Sequence, residues 1–200
     1  MGFQMSVMCI GQIVMQSCVN KLGTEAIAGY TAASKVDQLS VLVNNAFMSA
    51  IASYVAQNYG AGDMKRIRNG VWSSLFLTEC TNFIMIVLIL IIEPYIVPMF
   101  VSSASPEVYS YASDFFLITL PFYPVLGLLA VYRTSVQSMG NTWAPFTACI
   151  VELVARCGAS VILGGIFGYS GIVFSSPLAW IGADLAVIPV YMAMTRKNRE

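Results

Sequence analysis

Six stretches of this chain are long and apolar enough to cross a bilayer, and little between them could face water instead. A spanning helix needs about 20 mostly apolar residues. The candidates are residues 1–19, 26–59, 71–92, 108–139, 145–167 and 172–194. Apolar residues make up 58% of the chain and charged residues 10%, against about 45–50% and 25% in a soluble domain. The expected architecture is therefore all-α, with six transmembrane helices in one bundle and the whole of 1–200 forming a single membrane domain.

The breaks between these stretches have turn chemistry. Asn20 to Thr24 make a short turn, and Gly60-Ala61-Gly62-Asp63 end the second helix. That helix is roughly 51 Å long at 1.5 Å per residue, so it must tilt or protrude. Lys65, Arg66 and Arg68 read as a basic connector, with Pro94 and Pro98 closing the third helix. Gly140-Asn141 stop the fourth as a left-handed cap would, and Gly168 to Gly171 separate the last two.

Composition also excludes functions. Ten basic and ten acidic residues cancel, which leaves no electrostatic footprint for nucleic acid. The chain has no histidine, so Ser-His-Asp and Cys-His catalysis and His-ligated zinc are out. Its five cysteines lie in apolar stretches without CxxC spacing and read as small buried hydrophobes. No metal site or cofactor is expected, and an intramembrane enzyme would have only lone carboxylates to work with. The N-terminus has no basic region or small-residue cleavage site of a signal peptide.

Basic residues near helix ends set orientation. Lys65, Arg66, Arg68, Arg133, Arg196, Lys197 and Arg199 fall on one side, against Lys21 on the other. Lys35 and Arg156 lie within helices and are set aside. Both termini are expected in the cytoplasm of a cell-membrane protein, with Ser102 to Glu107 outside.

Helical phase then picks out candidate functional faces. At 100° per residue, Met1, Met5, Met8 and Met15 share an arc of the first helix with Cys9, Gln12 and Gln16. Phe3, Val7, Ile10 and Val14 lie opposite, as a lipid face. The thioether–amide face suits either a cavity that adapts to varied ligands or interhelical packing with amide hydrogen bonds. On the second helix Ser34, Asp37, Gln38, Asn44, Asn45 and Ser49 cluster within about 140° of arc. A stripe that polar must face protein or water. Asp37 reads as a contact for substrate or coupling ion, or as a structural cap; Lys35 snorkels.

Glu152 and Arg156 stand four apart in the favoured helical order and read as a structural ion pair. Glu152→Gln is expected to lower folded yield by leaving Arg156 uncompensated, and exchanging the two charges to restore part of it. Glu79 and Asp184 sit mid-helix without a local cation, open to pairing with Arg156, to protonation or to lining a water path. Pro121 and Pro124 remove backbone donors mid-span and mark a hinge.

Three strings carry a resemblance. Thr31-Ala32-Ala33-Ser34-Lys35-Val36-Asp37-Gln38-Leu39 followed by Tyr54-Val55-Ala56-Gln57-Asn58-Tyr59-Gly60-Ala61-Gly62 is similar to one helix of the multidrug and toxic compound extrusion (MATE) transporters. Arg133-Thr134-Ser135-Val136-Gln137-Ser138-Met139-Gly140-Asn141-Thr142, with Pro145 and Glu152, resembles the next hallmark region, and Ser176-Pro177-Leu178-Ala179-Trp180-Ile181-Gly182-Ala183-Asp184 resembles the last helix.

The resemblance implies twelve helices in two six-helix lobes, of which this chain looks like the second. It begins inside that lobe's first helix, so Met1 reads as an internal methionine of a longer protein. One branch of the family couples transport through acids at places that fall near Met8 and Leu126 here, and neither is acidic. The coupling ion, sodium or protons, is left open. The expected function is half of a cation-coupled antiporter exporting amphipathic or cationic organic compounds, partnered by a missing first lobe or by a parallel copy of itself. The alternatives are a lipid-linked oligosaccharide flippase of the same superfamily and a non-transporting fragment. A basic cavity would favour the flippase, and the two candidate cavity faces carry only Lys35.

Overall fold

The computed structural model describes residues 2–100 and 105–196. The elements are α1 (Gly2–Asn20), α2 (Thr24–Gly60), α3 (Met64–Phe100), α4 (Pro106–Thr119), a 3-10 turn (Leu120–Phe122), α5 (Tyr123–Ser138), α6 (Trp143–Phe167) and α7 (Tyr169–Arg196). No strand occurs among the described residues. Five spans are long and apolar enough to cross a membrane: α2, α3 as far as Tyr95, α4 to α5 taken together, α6 and α7. α1, 19 residues long with three glutamines, completes the bundle against α6.

α3 extends past the expected 71–92 at both ends. The basic run Lys65 to Arg68 is its first turn rather than a connector, because the Asp63 carboxylate accepts the Arg66 backbone N–H at 2.9 Å and starts the helix early. Tyr54 of α2 donates to the Arg66 carbonyl at 3.2 Å and clamps the α2–α3 corner. At the far end the helix runs through Pro94. A proline inside a spanning helix costs one backbone hydrogen bond without having to end it. The expected external loop falls partly outside the described residues, which omit 101–104.

The fourth span is broken where its prolines predict. Pro121 lies in the 3-10 turn and Pro124 in the first turn of α5. Two further prolines, Pro177 and Pro189, lie inside α7. α6 and α7 are joined by Gly168 alone, whose φ of 60° is open to glycine at little cost. This tight hairpin makes α6 and α7 the most extensively packed pair of the bundle.

Apolar residues gather in two cores. One joins Met15 and Val19 of α1, Tyr30 and Ala33 of α2, Phe115 and Phe116 of α4, and Ile172 and Val173 of α7. The other joins Ile51 and Val55 of α2, Ile67 and Val71 of α3, Leu129 of α5, and Trp180 and Val187 of α7. Along α2, Asp37 and Asn44 fall between the residues of the two cores, as do Ser175 and Ser176 along α7. Glu152, Arg156 and Ser160 follow Ala144 and Ala148 of the second core on α6. The polar residues thus form a layer between two greasy ones, near mid-span. Phe76, Phe83, Val154, Ile162 and Leu185 are exposed on the outside, as a lipid-facing surface requires.

Candidate functional site

The polar layer opens into a cavity of about 670 Å³ between α1, α2, α4, α5, α6 and α7. Met8, Gln12 and Gln16 reach it from α1, and Ser34, Asp37, Gln38, Asn44 and Asn45 from α2. The amphipathic phase of these two helices therefore brings ten of the thirteen residues of the two expected faces to the cavity, Cys9 and Met15 included. Met1 lies outside the described residues, and Met5 and Ser49 lie off the cavity. Met5 is 66% exposed, whereas Met15, one arc-mate further on, is 4% exposed and lines it. Ser49 turns its hydroxyl to the Asn45 carbonyl at 3.1 Å.

The expected lipid face of α1 needs correction too. Val7 is buried, and with Gly11, Met15 and Val19 it makes the packed stripe of that helix. The Arg156 side chain crosses so close to Gly11 that a Cβ there would stand 3.1 Å from its Cδ. Helical phase predicts which residues share a face; which face turns inward depends on what α1 meets.

Asp37 accepts a hydrogen bond from the Tyr123 hydroxyl. Tyr123 begins α5 directly after the 3-10 turn, so the proline break delivers the donor that holds the Asp37 carboxylate. Asn82 of α3 donates to the Tyr123 carbonyl at 3.2 Å and braces the same point. No pattern local to Asp37 signals this partner, which is 86 positions away.

Glu152 and Arg156 pair at 2.9 Å, in the helical geometry their spacing predicts. They are not alone. Arg133 of α5 donates to the other oxygen of Glu152 at 2.7 Å, and Arg156 also donates to the Ser176 hydroxyl at 2.8 Å. Ser176 in turn donates to the Met15 sulfur at 3.5 Å, while Ser160 donates to Ser175 at 2.8 Å. Arg133, Glu152 and Arg156 all line the cavity. Arg133 thus leaves the set of membrane-edge cations, and the basic charge of the cavity comes from the two arginines. Lys35 is exposed and does not line it.

Glu79 and Asp184 do not line this cavity, although Asp184 lies within electrostatic reach of Arg133 and Glu152. Arg156 is held by Glu152 and Ser176 rather than by either of them. Glu79 Oε1 is buried without a hydrogen-bond partner, at the place where a Cβ on Gly127 would sit 2.5 Å away. Asp184 Oδ1 is likewise buried and unpartnered, beside a smaller cavity of about 300 Å³ lined by Val125, Ile181, Leu185, Ile188 and Pro189.

The membrane-spanning bundle thus encloses a cavity lined by both polar and apolar side chains. The chain belongs to the MatE family, whose model matches residues 1–162. It is 24% identical over 183 residues to the probable multidrug resistance protein YpnP of Bacillus subtilis (strain 168), covering 84% of this chain and 41% of the relative. Its fold matches that of a multidrug resistance MATE family transporter in an outward-facing conformation, with a TM-score of 0.88 at 14% identity. It also matches the lipid II flippase MurJ in an inward closed conformation, at 0.72 and 16%. The two alignments take in 98% of this chain but 45% and 44% of those structures. The chain spans less than half the length of these relatives.

Proposed function

We propose that the chain works as one lobe of a secondary active transporter that exports amphipathic organic compounds by alternating access, driven by a sodium or proton gradient. The single observation that carries this reading is the cavity. Its α1 and α2 walls set amides, thioethers and Asp37 against the arginine–glutamate cluster, a surface with no use in lipid. Transporter sites commonly lie near the midplane at the interface between two repeats. A wall of this kind needs a second wall, and the family relatives are more than twice as long as this chain. The second wall is supplied by a first lobe or by a parallel copy of this lobe. Reconstituted alone as a monomer, the chain is expected to give no gradient-driven efflux of either ethidium or carboxyfluorescein. Such efflux from a demonstrated monomer would overturn the two-wall requirement.

A lipid-linked oligosaccharide flippase is the second reading, favoured by the two arginines that line the cavity and by the shared fold. It stands second because probable multidrug resistance proteins are among the curated relatives that this chain resembles in sequence.

We also propose the orientation in which both ends of the described chain face the cytoplasm. With Arg133 engaged at the cavity, Lys65, Arg66, Arg68 and Arg196 carry the basic bias against Lys21. In a cysteine-free background, a maleimide applied outside intact cells is expected to label Glu107→Cys and spare Lys65→Cys. The reverse pattern would invert the topology.

A further inference from the structure

The charges of the cavity wall cancel, but they are unevenly placed. Its ionisable charges are Asp37, Arg133, Glu152 and Arg156. Asp37 stands on α2 and is held by the Tyr123 hydroxyl, and among the described residues it forms no salt bridge. Around Glu152, therefore, two guanidinium groups share one carboxylate, each taking a different oxygen. A guanidinium has five N–H donors. Arg156 engages both Glu152 and Ser176, whereas Arg133 makes only the bond to Glu152, and its Nε is buried with no partner. A buried donor left without a partner, here the Arg133 Nε, is costly. An anion held by the two arginines of the wall would satisfy that donor.

We infer that Arg133 and Arg156 form an anion subsite in the cavity wall, so that the compounds the cavity takes carry a carboxylate or phosphate group. This rests on the cavity being the substrate site proposed above. Arginine suits the role because its planar fork matches both oxyanions. The surroundings fit the rest of such a molecule. Met8, Ile13, Leu126, Leu129 and Trp180 give an apolar bed beside the arginines, and the methionine can re-pack around differing shapes. Asp37 repels an anion from the α2 wall, so the ligand lies with its anionic end on α5 and α6 and its neutral or cationic end towards α2. A wholly cationic compound meets attraction at Asp37 alone and repulsion from the arginine pair. The cavity volume of about 670 Å³ is within the usual range for a drug-sized ligand.

The experiment compares carboxyfluorescein with ethidium by fluorescence anisotropy, using the full chain in phosphatidylcholine nanodiscs. The wild type is expected to bind carboxyfluorescein more tightly, with affinity falling as salt rises. Arg133→Gln is expected to weaken carboxyfluorescein roughly tenfold, the scale of a lost charge-assisted hydrogen bond, while ethidium affinity holds or rises. Arg133→Lys keeps the charge and should recover part of the loss, and it serves if the glutamine variant does not fold. Competition by added phosphatidylglycerol would support the subsite with a lipid headgroup as the anion, and its absence a soluble organic anion. Tighter ethidium binding by the wild type, or carboxyfluorescein binding indifferent to both Arg133 substitutions, would overturn the subsite and leave the cavity reading intact. Binding of neither dye would overturn the cavity reading itself.

Discussion

Gly171→Ala is expected to lower the thermal stability of the purified protein sharply, by about 3 kcal/mol, the upper part of the range for overpacking a tight interior. A Cβ at this position would stand 2.1 Å from the Leu163 carbonyl oxygen and 2.5 Å from its carbon, with the Gly164 nitrogen at 3.1 Å. All three are backbone atoms of α6 and cannot swing away as a side-chain tip would. Relief requires α7 to slide or tilt against α6, the most extensive helix contact in the bundle. That movement would also part Ser176 on α7 from Arg156 on α6, which now meet at 2.8 Å. Gly165→Ala is the matched control, because nothing lies within 4 Å of its added Cβ. Alanine is favoured over glycine in a helix by about 1 kcal/mol, so this control should melt at or slightly above the wild type. Equal melting of the Gly171→Ala protein and the wild type would show that the α6–α7 contact is far looser than the geometry states.

Glu152→Gln is expected to be more damaging than Arg156→Gln. It leaves two arginines, with side chains only 15% and 10% exposed, facing a neutral carboxamide and each other. Removing one partner of a buried pair costs about 3–5 kcal/mol. The cavity gives both guanidinium groups some access to water, which argues for the lower end of that range. Arg156→Gln should be milder, since Glu152 keeps its 2.7 Å bond to Arg133. The three-membered cluster also corrects a simpler expectation. Exchanging charges as Glu152→Arg with Arg156→Glu would preserve an isolated helical pair, but here it sets an arginine directly against Arg133. No rescue is expected from the exchange. Partial rescue is expected from Glu152→Gln with Arg133→Gln, which leaves one cation in place of two. The readout is the monodisperse fraction after heating in detergent. Identical melting of the wild type and Glu152→Gln would show that the carboxylate does not stabilise the arginines.

What could be read along the chain was whatever depends on near neighbours. Apolar runs of spanning length mark the membrane segments, because hydrocarbon accepts no other kind of surface. Residues three and four apart share a helix face, and so the α2 stripe from Ser34 to Asn45, the Met8–Gln12–Gln16 face and the Glu152–Arg156 pair were all visible before any fold was known. Pro121 and Pro124 announced the break between α4 and α5 for the same local reason, a missing backbone donor.

Other features needed the assembled helices. The Arg133 to Glu152 bond joins α5 to α6, and the Tyr123 to Asp37 bond joins α5 to α2. Periodicity assigns residues to faces without saying which faces meet, and a pair of neighbouring helices can be rotated or slid while each keeps its own pattern. That is why Arg133 read as a membrane-edge cation and Met5 as a cavity residue, although Arg133 lines the cavity and Met5 lies on the outside. The close approach of Gly171 to the Leu163 backbone has the same origin. Sequence determined the spans, their amphipathic faces and the break at the prolines, since these follow from hydration and the 3.6-residue turn. Packing between helices alone decided that two arginines share one glutamate at the cavity wall, because that depends on which side chains the rotation and depth of each helix bring opposite one another.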